Sequence, residues 1–110
     1  MNPVLYKKLC DRVKVLANEI QPLLPPLVQH QERNANAHLR GALKYMYNGA
    51  VIKLLPDFEF QNCIDIIEYV AAHPQITLNY QDFIPQSMHR IEQYTVQKEV
   101  GLDVIFGSVQ

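Results

Sequence analysis

Apolar residues recur at three- and four-residue steps through most of this chain, and prolines or glycines stand between the recurrent stretches. That spacing gathers apolar side chains on one face of an α-helix, which must be buried against another element. Leu5, Leu9, Val13, Leu16, Ala17 and Ile20 make the first stripe, widened by Tyr6 and Cys10, while Val15 points away. Asn2 suits the cap position and Pro3 the first helical position, so a helix is expected over 3–20. Pro22, Pro25 and Pro26 break it, because each lacks an N–H and restricts the residue before it. The second stripe, Val28, Ala35, Leu39, Ala42, Leu43, Met46 and Ala50, predicts a long helix within 24–55. That helix either runs unbroken or restarts around Asn34-Ala35-Asn36, where asparagine caps a new start. Gly41 and Gly49 fall inside the pattern and read as places where another helix comes close.

The pattern over 59–73 is the cleanest in the chain. Phe60, Cys63, Ile64, Ile67, Val70 and Ala71 fill one arc, with Asp57 as the expected cap and His73-Pro74 as the stop. Residues 75–82 read as a loop rather than a strand, although Ile76, Leu78 and Tyr80 alternate. A thinner seam of Ile84, Met88, Ile91 and Thr95 predicts a fourth helix over 85–100, stopped by Gly101. The tail over 102–110 is too apolar for a solvated end and is expected to dock on the bundle or on a partner. The chain therefore reads as a single all-α domain over 1–110. Its expected architecture is a four-helix, mostly up-and-down bundle with a long second helix and an apolar C-terminal tail.

Charge is sparse and uneven. Charged residues are 19% of the chain and hydrophobic residues 48%, which fits a folded domain and makes a self-association or partner face more expected than usual. Residues 1–55 carry eight Lys/Arg against three Asp/Glu, a balance of +5; residues 56–110 carry two against eight, or −6. The favoured reading is attraction between the halves within one bundle or between protomers; the alternative is a basic half facing a polyanion. The acidic positions Asp57, Glu59, Asp65 and Glu68 lack the spacing of a Ca²⁺ loop and read as a solvated face. No apolar run reaches the roughly 20 residues of a membrane span, and the N-terminus lacks the order of a signal peptide, so a cytoplasmic protein is expected. Cys10 and Cys63 read as small core residues rather than a disulfide.

One polar cluster interrupts the second stripe: Arg33-Asn34-Ala35-Asn36-Ala37-His38. Its plain reading is a capped turn between two helical pieces. Its form, R-N-x-x-x-H, resembles the motif of the HEPN family, helical domains many of which are metal-independent ribonucleases. The resemblance covers these six residues. It implies that Arg33 stabilises phosphate charge, that His38 acts as general acid or base at the 2′-hydroxyl or leaving oxygen, and that Asn34 orients one of them. It also implies a site assembled where two such helices meet in a dimer. On a regular helix Arg33 and His38 point about 140° apart, so their convergence requires a bend or a dimer mate.

Three further readings come from spacing. His30, Asn34 and His38 share one helical side, but no cysteine accompanies them, and a solvated side is favoured over a metal site. Arg33, Arg40, Lys44 and Tyr47 share an outer face on which cations could meet nucleic-acid phosphates and the ring could stack a base. Gly-rich phosphate loops and nucleophile–base arrangements are absent from the sequence, and no cofactor is implied. The favoured function is a small intracellular interaction or regulatory module acting as a homodimer or with a protein partner. A HEPN-like ribonuclease and a nucleic-acid-binding helical module are the alternatives.

Overall fold

The computed structural model describes residues 1–25, 34–75 and 80–94. Among these the chain is all-α, built from helices and short 3-10 turns without a strand. Helix α1 spans Pro3–Ile20. Asn2 caps it, its side-chain oxygen accepting from the Leu5 N–H at 2.9 Å. Leu9, Val13, Leu16, Ala17 and Ile20 are buried, as the stripe requires, and Val15 is exposed. Each such aliphatic side chain contributes about 1.5–3 kcal/mol when fully buried. At Gln21 the helix tightens into a 3-10 turn, Gln21–Leu23, with Pro22 inside it.

Helix α2 spans Ala35–Met46, so the long second helix is corrected to twelve residues. At its start the Asn34 side chain accepts from the Ala37 N–H at 3.1 Å. The next orphan donor, the Ala35 N–H, is taken by Gln21 Oε1 at 2.9 Å, which ties the end of α1 to the start of α2. At its end Asn48 turns to φ 52° and Gly49 to φ 81°. Gly49 N–H then donates to Lys44 O at 2.7 Å and Asn48 N–H to Tyr45 O at 3.2 Å. This pair of bonds, with asparagine in the left-handed conformation, closes a helix and cannot continue it. Gly49 thus belongs to the stop rather than to a helix contact. Gly41 does lie within α2, but a Cβ there would stand 3.8 Å from the Tyr80 hydroxyl, an ordinary contact, so close approach does not demand glycine.

Helix α3 spans Phe60–Ala72, entered through a 3-10 turn, Asp57–Glu59. Cys63, Ile66, Ile67 and Val70 are buried. Asp57 does not cap α3. Its carboxylate instead accepts from the Asn2 backbone N–H at 2.6 Å and the Asn2 side chain at 3.3 Å, joining the starts of α1 and α3. Helices α1, α2 and α3 pack pairwise on one another and enclose the core. Arg12 on α1 and Glu68 on α3 form a two-pronged ion pair across one seam.

The expected fourth helix over 85–100 is replaced, among its described residues, by shorter pieces. Helix α4 is the single turn Tyr80–Phe83, and a 3-10 turn follows at Gln86–Met88. Extended backbone at Pro85 and His89, with ψ 138° and 134°, prevents a continuous helix. Residues 91–94 are helical again, while 95–110, including the expected end of the helix and the apolar tail, lie outside the described residues.

Candidate functional site

A cleft of about 560 Å³ opens between α1 and α2. Leu9 and Val13 from α1 and Leu43 from α2 line its apolar part. Tyr6 and Cys10, both half-buried, extend the α1 wall. Three cations, Arg40, Lys44 and Lys53, are exposed around it. Arg40 and Lys44 stand one turn apart on α2, as a four-residue spacing requires. Lys53 arrives by a different route: the Asn48-Gly49 reversal ends α2, and the turn Ile52–Leu54 lines the same cleft. Arg40 Nε donates to Asn36 Oδ1 at 2.7 Å, its one protein partner among the described residues. Among the described residues no carboxylate lines the cleft and none pairs with these three cations. The cleft is therefore a local concentration of positive charge over an apolar floor. Val51, which lines it, and Leu54, next in the chain after Lys53, are 59% and 71% exposed.

The polar motif is placed differently. Arg33 and His30 lie outside the described residues. Asn34 is the α2 cap, its side-chain oxygen committed to Ala37. His38 is 5% exposed, with Tyr80 Oη 3.3 Å from its Nδ1 and 3.3 Å from its carbonyl oxygen. The Tyr80 ring also packs against Tyr45, centroids 5.5 Å apart, which fixes α4 on α2. A smaller hollow of about 380 Å³ beside the α2 start is lined by Lys14, Asn18, Gln21, Asn34 and Asn36.

Tyr47 is the clear displacement from the outer face. It is fully buried. One residue beyond the last helical position its backbone turns to φ −111°, ψ 19°, so the regular angular step no longer places it. It enters a sealed polar junction that spacing did not reveal. Tyr47 Oη accepts from Asn62 Nδ2 at 2.9 Å, and the Cys63 thiol points at the same oxygen from 3.7 Å. Asn62 also donates to Met88 O at 3.0 Å. Glu59, read from sequence as solvated, is 2% exposed and accepts from Arg90 Nε at 3.3 Å. Arg90 further gives its backbone N–H to Met46 O at 3.1 Å, satisfying a carbonyl at the end of α2. Tyr94 closes the junction, its ring 5.3 Å from that of Tyr47. Burial pushes the Cys63 thiol up to about 11 and raises the Tyr47 and Tyr94 hydroxyls, so all three stay neutral and unreactive.

The structure thus brings Arg40 and Lys44 together, adds Lys53, and sends Tyr47 into the core. Lys53 was legible only as one of the eight cations in the basic half. Both cysteines are free. Among the described residues no group of three or more His, Cys, Asp or Glu is placed to hold a metal ion, and no helix is long and apolar enough to cross a membrane. No family model, curated protein or solved structure matches the chain. Function is accordingly argued from this geometry.

Proposed function

We propose that the chain is a small intracellular helical interaction module, acting as a homodimer or with a protein partner, whose recognition surface is the α1/α2 cleft. The observation that carries this reading is the contrast in charge satisfaction among the described residues: Glu59 and Glu68 have arginine partners, whereas Arg40, Lys44 and Lys53 surround a cleft that no described carboxylate lines. Unpaired like charges cost little in water but gain strongly when a partner of opposite sign covers them. The exposed apolar side chains beside the cleft support a protein surface over a solvated face.

The same cations favour nucleic acid as a second reading, without the stacking ring, since Tyr47 is buried. The ribonuclease reading draws less support: Asn34 is committed to capping and His38 is enclosed beside Tyr80.

Photo-crosslinking tests the proposal. A photoreactive residue placed at Lys44 should give protein adducts in cells, whereas the same residue at the exposed Asp65 should not. A chain that is monomeric at high concentration and yields no adduct at position 44 would leave the reading without support. Metal-independent RNA cleavage that disappears in both His38→Ala and Arg33→Ala would put the ribonuclease in its place.

A further inference from the structure

Resting on that reading, we infer that the occupant of the α1/α2 cleft is an acidic amphipathic peptide segment of a partner protein. Its apolar side chains lie on the half-buried Tyr6, Cys10 and Ile52 and the exposed Val51, and its carboxylates meet Arg40, Lys44 and Lys53. Charge decides the sign of the occupant. Three cations from two separate elements converge on one cleft that no acid lines among the described residues, so a carboxylate-bearing ligand gains contacts that a neutral or basic one cannot. The apolar lining decides against a nucleic-acid backbone, whose charged phosphates have nothing to cover Cys10, Val51 and Ile52.

Dimensions favour a peptide over a small molecule. The α1 wall runs from Tyr6 to Val13 and the α2 wall from Ala37 to Lys44, each about 10 Å at 1.5 Å per residue. That length matches two apolar side chains one to two helical turns apart, the spacing by which amphipathic segments enter grooves. The exposed side chains Val51, in the cleft wall, and Leu54, just past Lys53, give a chain that continues past the cleft further apolar surface to cover. A small ligand would be enclosed by its pocket and would leave them wet.

Selection of displayed random peptides on the purified full chain tests the inference. The expected enrichment is for sequences with two apolar residues flanked by Asp or Glu. The Arg40→Glu/Lys44→Glu variant should lose those sequences and enrich Lys- and Arg-bearing ones. The best wild-type peptide should bind about tenfold more weakly to Lys53→Glu, and more weakly again as salt rises, with Asp65→Lys unchanged. Circular dichroism verifies that the variants, all at exposed positions, stay folded. Absence of enrichment, or enriched sequences without acids or indifferent to the reversals, overturns the inference. Tighter binding of a short RNA through the same three residues overturns it in favour of nucleic acid. Self-association abolished by Arg40→Glu assigns the cleft to a second copy and also overturns it. If adducts at position 44 persist while peptide selection fails, the acidic-peptide assignment alone falls; if both fail, the interaction reading falls with it.

Discussion

Two regions of this small domain treat charge in opposite ways. At the junction of α2, α3 and the 84–94 segment, a buried glutamate, an arginine, an asparagine, a thiol and two tyrosines are drawn inward. At the α1/α2 cleft, three cations are left outward with no acid among the described residues lining it. The first arrangement is costly to disturb, because a buried charge stripped of its partner faces low-dielectric surroundings. The second is nearly indifferent to the fold, because exposed charges are solvated. The difference separates residues that hold the domain together from residues free to serve a partner.

The comparison can be broken at several points. Tyr47→Ala should have the largest effect, a loss of about 3–5 kcal/mol in urea unfolding, since it empties a fully buried ring site; a loss within 1 kcal/mol would mean that Tyr47 is no keystone. Arg90→Ala should cost about 3 kcal/mol by stranding Glu59, and Glu59→Gln added to it should recover part of that loss. Failure of the double variant to recover would show that Arg90 acts through Met46 and the backbone rather than through the carboxylate.

Alkali should loosen the same region. Burial raises the folded-state value of Cys63 from about 9 to about 11, so the folded chain holds this proton more tightly than the unfolded chain. Its contribution is complete below pH 9 and is lost as pH rises through 11, roughly 2–3 kcal/mol in all. Tyr47 and Tyr94 shift in the same direction. Unfolding curves from pH 8 to 11 should fall accordingly, and more shallowly in Cys63→Ala; identical slopes would remove the thiol from the account. The smallest effect belongs to the cleft: Arg40→Glu and Lys44→Glu should each change stability by no more than about 0.5 kcal/mol. A larger loss in either would make the cleft part of the framework.

Helices α1 and α3 were legible because local signals agree with the packing. Asn2 and Pro3 begin α1, His73-Pro74 follows α3, and most of each apolar stripe is buried, although Leu5, Phe60, Ile64 and Ala71 are only half-buried and Ile66, outside the expected arc, is fully buried. The start of α2 was legible as one of two readings, through Asn34. Its end was not, because apolar spacing runs on to Ala50 and carries Gly49 inside the helix, whereas Asn48 and Gly49 form a left-handed stop. That one misreading carried the periodicity past Met46 and put Tyr47 on the wrong side. The burial of Glu59 has no local signature at all: it depends on Arg90, thirty-one residues away, reaching back to it. Half of the cleft, Arg40 and Lys44, followed from helical spacing. Lys53 did not, because only the reversed turn after α2 brings it there.

The packing of α1 against both later helices has a consequence for the order of synthesis. Residues 3–20 leave the ribosome before α2 and α3, yet Leu9, Val13, Leu16 and Ile20 gain their full cover only once those helices have followed. The ion pair that binds this helix to its furthest neighbour, Arg12 with Glu68, spans 56 positions. For most of translation, then, the nascent chain displays an amphipathic stripe with no lid. The same stripe backs the cleft through Leu9 and Val13, so a surface that needs protection during synthesis ends as the buried inner wall of that cleft.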